Sequence, residues 1–459
     1  MEKKSLQLLK KYGQQHILKH YHKLSYEKQQ LFLKNIESLD FNLVFSLYNS
    51  FFLKKEFQEY SFNIKPADII ELPETREEKD YCKKAYQSGE SLIREQKVAV
   101  LIVAGGQGSR LGFEGPKGSF PTTCIKKKTL FQVFAESIRA INIKYNISVP
   151  LLIMTSHENH EDTIKFFSSH NYFGLKKCSV NFFKQGMLPS ITPDGKLILK
   201  DETSLFTNPD GHGGSLKALH DSGLLLDLIK GGYTELFYCQ VDNPLVRIVD
   251  PLFLGYHVMS KAFVSTKVVK RDSINEKVGV YILKNEKHAI AEYSDLPPEF
   301  MEALDKNGKI LYWAGNTAIH LFSIDFIKRI NDHGYAVPYH CARKQVEIKD
   351  KNNRLRQVDV WKFETFVFDT IPLAERTCCM EVAREEEFAP IKNKDGVDSP
   401  DTARIAMCNL HKSWLKNIGV DLPPGILVEI SPLFALNKED FKKKIKGKKL
   451  DIKEDIYFG

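Results

Sequence analysis

The stretch AVLIVAGGQGSRLGFEGPKGSF at Ala99–Phe120 decides the fold of this chain. Seven apolar residues, Val98–Ala104, lead into a cluster of glycines, which is the pattern of a buried parallel strand that ends in a phosphate-binding loop. Gly105, Gly106 and Gly108 let backbone N–H groups approach an anion closely, and a helix that follows would add the positive end of its dipole. The stretch therefore predicts an anion-binding loop at the end of a central strand.

The spacing of the glycines excludes two familiar phosphate-binding loops. A dinucleotide-binding turn needs G-x-G-x-x-G, whereas the third glycine here comes one place late, at Gly106, Gly108 and Gly112. A P-loop needs G-x-x-x-x-G-K-S/T, and the nearby Lys117 follows Pro116 instead. The loop must therefore hold its anion in another way.

Two cations within the loop indicate that the anion is a polyphosphate. Arg110 offers a fork of N–H donors that suits a phosphate, and Lys117 offers a compact point charge. Pro116 before Lys117 and Gly118 after it predict a stiff turn that presents the ammonium group.

From residue 97 to about 370, short apolar runs alternate with helical patterns such as LFQVFAESIRAI, which predicts βαβ units and a mainly parallel sheet. The clearest strands are KVAVLIVAGG, SVPLLIMTS, LFYCQVDN, KAFVSTKVV and KVGVYIL. Three of them end in small or polar residues, namely Gly105-Gly106, Thr155-Ser156 and Asp242-Asn243. Ligands bind at the carboxyl ends of the strands in open α/β sheets, so we expect these residues to mark one site.

The chain is predicted to have three regions. Residues 1–95 carry apolar residues at helical spacing and form a helical N-terminal region, with Asp40 as a helix cap. Residues 96–374 form an α/β domain that carries the glycine loop. Residues 375–459 form a small α+β C-terminal domain, in which TARIAMCNLHKSWL predicts a helix and GILVEISPLF predicts a strand.

Composition excludes several classes of protein. The 459 residues carry a formal charge of +8, and the lysine-rich run at 442–449 has no interleaved aromatic residues, so nucleic-acid binding is not predicted. No apolar run is long enough to span a membrane, and the N-terminus has no secretory signal. Eight cysteines without a C-x-x-C pair predict neither a zinc site nor a disulfide framework. We expect a cytoplasmic protein.

Two further segments carry candidate ligand contacts. Asp242 directly follows a strand at the edge where the loop lies, and a carboxylate there is suited to Mg²⁺; the alternative is that it only caps a turn. In NPDGHGG, His212 stands among Gly211, Gly213 and Gly214, whose backbone could lie against a base or a sugar. His212 is either a ligand contact or a turn residue.

The loop LIVAGGQGSRLGFEGPKGSFP resembles the signature of the eukaryotic-type UDP-sugar pyrophosphorylases, most closely the UDP-N-acetylglucosamine pyrophosphorylase branch. Further matching motifs follow in order along nearly the whole chain: GQQHIL, IMTS, FFKQGMLPSITPDGKLIL, NPDGHGG, VDNPLVR, EYSD, AGNTAIHLF, WKFETFVFD, REEEFAPIKN, DSPDTAR and VEISPLF. The resemblance implies a Rossmann-like, nucleotidyltransferase type A sheet and transfer of the uridylyl group of UTP to a sugar 1-phosphate. The implied partners are therefore UTP, a hexose 1-phosphate, the UDP-sugar and pyrophosphate.

The resemblance also implies roles for single residues. Gly105, Gly106 and Gln185 would contact uracil, and Gly211 would close over it. The triphosphate, and then the departing pyrophosphate, would be held by Arg110 and Lys117, with Lys362 nearby and Mg²⁺ on Asp242. Gly279, Glu292 and Asn316 match positions that line the sugar pocket.

One position departs from the pattern of the N-acetylglucosamine branch. That branch usually has asparagine where this chain has His212, near the N-acetyl group, and GHG is typical of UDP-glucose and broad-specificity enzymes. On this basis glucose 1-phosphate is narrowly favoured, with N-acetylglucosamine 1-phosphate as the alternative.

Two other classes of protein are disfavoured by the sequence. A non-catalytic UDP-sugar-binding protein would be expected to lack Arg110, Lys117 or Asp242, and all three are present. A nicotinamide dehydrogenase is disfavoured by the displaced third glycine and because the second strand ends in Thr155-Ser156, not in an acidic ribose-binding residue.

Overall fold

The structure, a computed structural model, describes residues 2–53, 63–349, 355–448 and 450–459. The described helices, numbered α1 to α14, are Glu2–Lys11, Tyr26–Glu37, Phe41–Tyr48, Arg76–Arg94, Leu130–Tyr145, His160–Ser169, Ser215–Asp221, Leu224–Lys230, Pro251–Met259, Pro298–Met301, Ile324–Asp332, Arg384–Glu387, Pro400–Lys416 and Lys438–Ile445. The described strands, numbered β1 to β16, are Ile64–Pro66, Val98–Val103, Leu151–Thr155, Val180–Lys184, Met187–Pro189, Thr207–Pro209, Glu235–Gln240, Val264–Lys270, Val280–Lys284, Lys287–Ala291, Ala314–Ser323, Tyr339–Lys349, Leu355–Thr365, Thr377–Glu381, Val428–Ile430 and Ile456–Phe458. Among the described residues, no helix is both long enough and apolar enough to cross a membrane.

The chain divides into two units, and each consists of several segments. The smaller unit comprises Met1–Ser61, Gln185–Lys217 and Ala336–Asp369. The larger unit comprises Phe62–Lys184, Ala218–Tyr335 and Thr370–Gly459. This division is discontinuous along the chain, whereas the three predicted regions are consecutive. The predicted boundaries near 95 and 375 stay predictions.

A ten-stranded sheet forms the centre of the larger unit. Its order is β1-β9-β11-β7-β2-β3-β4, with β10 beside β9, β8 beside β11 and β14 beside β8. Strands β7, β2, β3 and β4 are mutually parallel, so their carboxyl ends lie at one edge. This confirms the predicted α/β fold class. The sheet also contains antiparallel pairings of β9, β10 and β11, which the sequence pattern did not predict.

Burial on both faces explains why the strand before the glycine loop is uniformly apolar. Val100 and Ile102 of β2 pack in a cluster with Phe131 and Phe134 of α5, the helix predicted from LFQVFAESIRAI. Ala99 and Leu101, which point to the opposite face, are also fully buried. A parallel strand that is covered on both faces needs this continuous apolar run.

The smaller unit has its own core. Phe32 and Ile36 of α2 and Val44 of α3 pack with Leu188 and Phe363, from β5 and β13. The predicted helix cap is confirmed, because the Asp40 side chain accepts a hydrogen bond from the N–H of Leu43 at 2.9 Å. Strands β12 and β13 form an antiparallel hairpin, and β5 pairs with β6.

Sequence signals near the C-terminus are also confirmed. The helix predicted from TARIAMCNLHKSWL is α13, which begins at Pro400 after a capping box between Ser399 and Thr402. The strand predicted from GILVEISPLF is β15, which pairs in parallel with β16.

A buried ionic cluster joins β8 to Asp250 and Glu387. The Lys267 side chain, 0% exposed, places its Nζ 2.6 Å from Asp250 Oδ2 and 2.6 Å from Glu387 Oε2. Burial acts to raise the pKa of both carboxyls. At Glu387 burial prevails, whereas at Asp250 the charges of Lys267 and Arg247 outweigh it and lower the pKa.

Removing the buried ammonium tests this cluster. Lys267→Met should lower the free energy of unfolding by about 3–5 kcal/mol, because two buried carboxylates lose the cation that touches both. Lys328→Met is the matched control, since Lys328 and Asp332 form a half-exposed i,i+4 pair that is worth about 0.3–0.5 kcal/mol. Chemical denaturation measures the free energy of unfolding of both variants. Equal decreases in the two variants would contradict the conclusion that Lys267 compensates two buried carboxylates.

Candidate active site

Backbone hydrogen bonds fold the glycine loop, residues 104–119, back on itself. The N–H of Gly108 donates to Gly115 O at 2.9 Å, and the N–H of Lys117 donates to Gly106 O at 3.0 Å. A Cβ on Gly118 would lie 2.2 Å from the ring of Phe131 in the core below. The loop is thus anchored on α5.

The first part of the loop keeps its backbone donors available. No described residue accepts a hydrogen bond from the N–H groups of Gly105, Gly106 or Gln107. Gly108 differs, because its N–H bonds within the loop and a Cβ there would meet Phe113 at 2.6 Å. Gly108 therefore shapes the loop, whereas the N–H groups of the two glycines before it remain available as donors.

The two predicted cations stand in different surroundings. Arg110, in the short helical turn Ser109–Leu111, is exposed, and no described residue forms a hydrogen bond or an ion pair with its guanidinium group. Lys117 places its Nζ 3.0 Å from Asp242 Oδ2, and these two side chains are only 16% and 17% exposed. The structure thus brings the cation of the loop and the carboxylate that follows β7 into direct contact.

A segment whose role was not predicted from the sequence holds Asp242 in place. The Asp242 carbonyl accepts a hydrogen bond from the N–H of Ile391 at 2.9 Å. The buried Asn243 side chain donates to Glu387 O at 2.7 Å and accepts from the N–H of Ala389 at 3.1 Å. The motif REEEFAPIKN therefore supports the motif VDNP. The apolar and acidic residues of REEEFAPIKN do not by themselves indicate this role.

The three predicted sugar-pocket residues of the larger unit lie together. The N–H of Asn316 donates to Gly279 O at 2.8 Å, and a Cβ on Gly279 would lie 3.1 Å from Glu292 Oε1. Strand β11 runs antiparallel to β7 with His320 opposite Tyr238, so Asn316 lies toward the carboxyl end of β7, where Asp242 follows. The cluster and the ion pair thus share one edge of the sheet.

Four predicted site residues belong to the smaller unit. Gln185 is 7% exposed, and its amide forms no hydrogen bond with any described residue. Gly211 has φ +88°, and a Cβ there would lie 2.3 Å from Thr365 O, so only glycine fits. Lys362 pairs with Glu364, Nζ to Oε2, at 2.8 Å.

His212, the fourth of these residues, packs against the chain that follows β13. Its Nδ1 accepts a hydrogen bond from the N–H of Val367 at 3.2 Å. Its ring stacks on Phe366, with centroids 5.4 Å apart and planes at 25°, and contacts Phe368. The imidazole therefore has a structural reason to be in this turn.

Protein ligands for a metal are few at this edge. Among the described residues, no group of three or more His, Cys, Asp or Glu side chains could hold a metal ion. Asp242 supplies one hard oxygen ligand beside the loop. That donor fits Mg²⁺, which is often bound through one or two carboxylates together with water and substrate phosphates.

The comparisons with known proteins agree with this geometry. The family model described as UTP--glucose-1-phosphate uridylyltransferase matches residues 42–452. The chain belongs to this family. A relative from Dictyostelium discoideum is 36% identical over 459 aligned residues, which cover 95% of this chain and 94% of the relative.

Two of the proteins similar to this chain are named as UDP-N-acetylglucosamine pyrophosphorylases. The UDP-N-acetylglucosamine pyrophosphorylase of Saccharomyces cerevisiae is 34% identical and is covered, like this chain, over 97% of its length. The crystal structure of the uridine diphosphate N-acetylglucosamine pyrophosphorylase from Trypanosoma brucei, in complex with inhibitor, has a TM-score of 0.82 and 26% identity. That match covers 96% of this chain and 94% of the other.

These findings confirm the resemblance, the fold class and the class of enzyme: the protein is a uridylyltransferase that makes a UDP-sugar. The roles of the single site residues stay predictions. The larger unit brings together Arg110 and Lys117 of the loop, Asp242, and the cluster around Asn316. Gln185, Gly211, His212 and Lys362 lie in the smaller unit.

The loop cations are tested by truncation. Arg110→Ala and Lys117→Ala should each lower kcat/KM by about 10²–10³, because one preorganised charge contact to the transition state is lost. Arg76→Ala, which removes an exposed arginine at the start of α4, outside the loop, is the control and should keep full activity. Pyrophosphate release measures turnover, and a near-normal rate in either loop variant would exclude that residue from the chemistry.

Proposed function

We propose that this uridylyltransferase acts on N-acetylglucosamine 1-phosphate and makes UDP-N-acetylglucosamine. The observation that carries the proposal is similarity along nearly the whole chain to proteins named as UDP-N-acetylglucosamine pyrophosphorylases. The narrow preference for glucose 1-phosphate depended on His212 alone, so the comparisons favour the alternative.

The contacts of His212 support the same choice. A side chain discriminates strongly between substrates when it has a hydrogen-bonding group for the substituent that differs. Nδ1 of His212 is occupied by the N–H of Val367, and one face of the ring stacks on Phe366. These contacts give a reason for the histidine that does not involve excluding an N-acetyl group.

The reaction needs positioning and neutralisation of charge. A phosphate oxygen of the sugar 1-phosphate attacks the α-phosphorus of UTP, a new P–O bond forms, and the bond to the β-phosphate oxygen breaks as pyrophosphate leaves. We assign Arg110 and Lys117 to the negative charge of the triphosphate, and the free N–H groups of Gly105 and Gly106 to the nucleotide. No covalent intermediate with the protein is required.

Mg²⁺ belongs to the proposal as the cofactor at Asp242. When bound, it would neutralise phosphate charge at the loop. Lys117 already touches the Asp242 carboxylate, so the two cations would share that group or lysine would turn to the phosphates. Both arrangements keep positive charge where pyrophosphate departs.

The choice of sugar is tested by comparing two substrates. Wild type should show a higher kcat/KM for N-acetylglucosamine 1-phosphate than for glucose 1-phosphate. His212→Asn should change that ratio by less than about threefold, because the asparagine oxygen can still accept a hydrogen bond from the N–H of Val367. A difference of a few atoms changes the preference between substrates by roughly 10–200-fold only when it lies inside the sugar pocket. A preference for glucose 1-phosphate that His212→Asn reverses would show that His212 selects the sugar.

The same assay separates an enzyme from a binding protein. A non-catalytic protein would bind UDP-N-acetylglucosamine and release no pyrophosphate from UTP with either sugar phosphate.

The metal is tested by its removal. Excess EDTA should abolish pyrophosphate release, and Asp242→Asn should raise the Mg²⁺ concentration needed for half-maximal rate, because a neutral amide is a weaker ligand for this ion. Asp162→Asn, an exposed carboxylate of α6, serves as the matched control and should behave as wild type. Full activity in EDTA would contradict the proposal.

A further inference from the structure

Asn159 makes unusual use of its side chain for a residue at the start of a helix. It is the N-cap of α6, where asparagine commonly accepts a hydrogen bond from the first helical turn. Here the side chain makes no such bond. Its Nδ2 instead donates to Ala104 O at 2.9 Å and to Gly106 O at 3.2 Å, the first carbonyls of the glycine loop.

The orientation of this amide is fixed. Asn159 is 0% exposed, and its Oδ1 accepts from the N–H of Ser156 at 2.8 Å. The N–H of Asn159 donates to Ser156 Oγ at 3.1 Å, and its carbonyl accepts from Thr163 Oγ1 at 2.7 Å. Both amide donors and the amide oxygen are used, so the side chain cannot turn over without losing all three bonds.

Two carbonyls on one side of the loop determine where its donors point. Gly106 O also accepts from the N–H of Lys117 at 3.0 Å, so a single carbonyl links Asn159 to the backbone of the loop lysine. With the carbonyls of Ala104 and Gly106 held at Asn159, the N–H groups of Gly105, Gly106 and Gln107 stay unbonded to the described residues.

We propose that Asn159 is a positioning residue for UTP: it holds the glycine loop in the conformation that presents these N–H groups and Lys117 to the nucleotide. The inference rests on the proposed function, because it takes the loop to be the nucleotide site. Asn159 itself is buried behind the loop and does not touch the substrate.

Two substitutions separate this role from helix capping. Asn159→Asp has the same shape but replaces both donors with an oxygen that repels the two loop carbonyls. Asn159→Ser can still cap α6 but is too short to hold the loop carbonyls. The control is Asn142→Ala, which removes the hydrogen bond from the N–H of Val149 to Asn142 Oδ1 at 2.9 Å, at the opposite end of β3.

The experiment measures UTP binding by calorimetry in Mg²⁺ buffer, KM for each substrate, and the melting temperature. Both Asn159 variants should weaken UTP binding about tenfold or more and raise KM for UTP, with KM for the sugar phosphate changed less than threefold. Asn142→Ala should leave the Kd for UTP unchanged.

The outcomes distinguish the two proposals. If Asn159→Ser melts earlier than wild type but binds UTP equally well, Asn159 is only structural and the inference is wrong. If wild type itself binds no UTP, the proposed function fails, and the inference fails with it.

Discussion

The ion pair between Lys117 and Asp242 joins the two strand ends on which the site depends. It is possible only because β2 and β7 are parallel neighbours, so the loop after one strand and the carboxylate after the other leave the sheet at the same edge. A mostly buried ion pair lowers the stability of the protein unless good geometry compensates for the lost hydration of both charges. The order of the strands in the sheet therefore determines that these two charges meet at its carboxyl edge.

Around this pair the protein uses buried polar groups to fix backbone that has no regular structure. Asn243 binds the segment 387–389 behind Asp242, and Asn159 binds the carbonyls of the glycine loop. Lys267 lies between Asp250 and Glu387, so the segment behind Asp242 is tied to β8 as well. Loops that hold ligands cannot rely on strand pairing, so side-chain amides and buried ions supply the missing constraints.

Five strands of the central sheet (β2, β3, β7, β8 and β9) and the glycine loop were predicted from patterns in the sequence, and the grouping of Gly279, Glu292 and Asn316 through resemblance alone. Apolar runs and glycine spacing are local properties, and local patterns report local structure. The support of Asp242 by Asn243 and Ile391 joins segments about 150 residues apart in the chain, and no spacing rule relates such segments. The segment AGNTAIHLF was recognised only as a family motif, so neither β11 nor its antiparallel direction was predicted. The direction could not be inferred from apolarity, because an apolar strand has the same pattern in both directions.

His212 shows why one departure from a family pattern is weak ground for a change in substrate. The glycines beside it are required by close backbone approach: a Cβ on Gly213 would meet Phe366 N at 2.5 Å, and one on Gly211 would meet Thr365 O at 2.3 Å. The turn therefore packs directly against the backbone of residues 365–366. This packing fixes the position of His212 between the glycines before any ligand is bound. A ring stacked on Phe366 satisfies the same turn by contacts with the protein, so a histidine at residue 212 does not by itself identify the sugar. If the sugar is the N-acetylglucosamine 1-phosphate proposed above, the contact with its N-acetyl group has to be sought in residues whose polar atoms are not already committed to the fold.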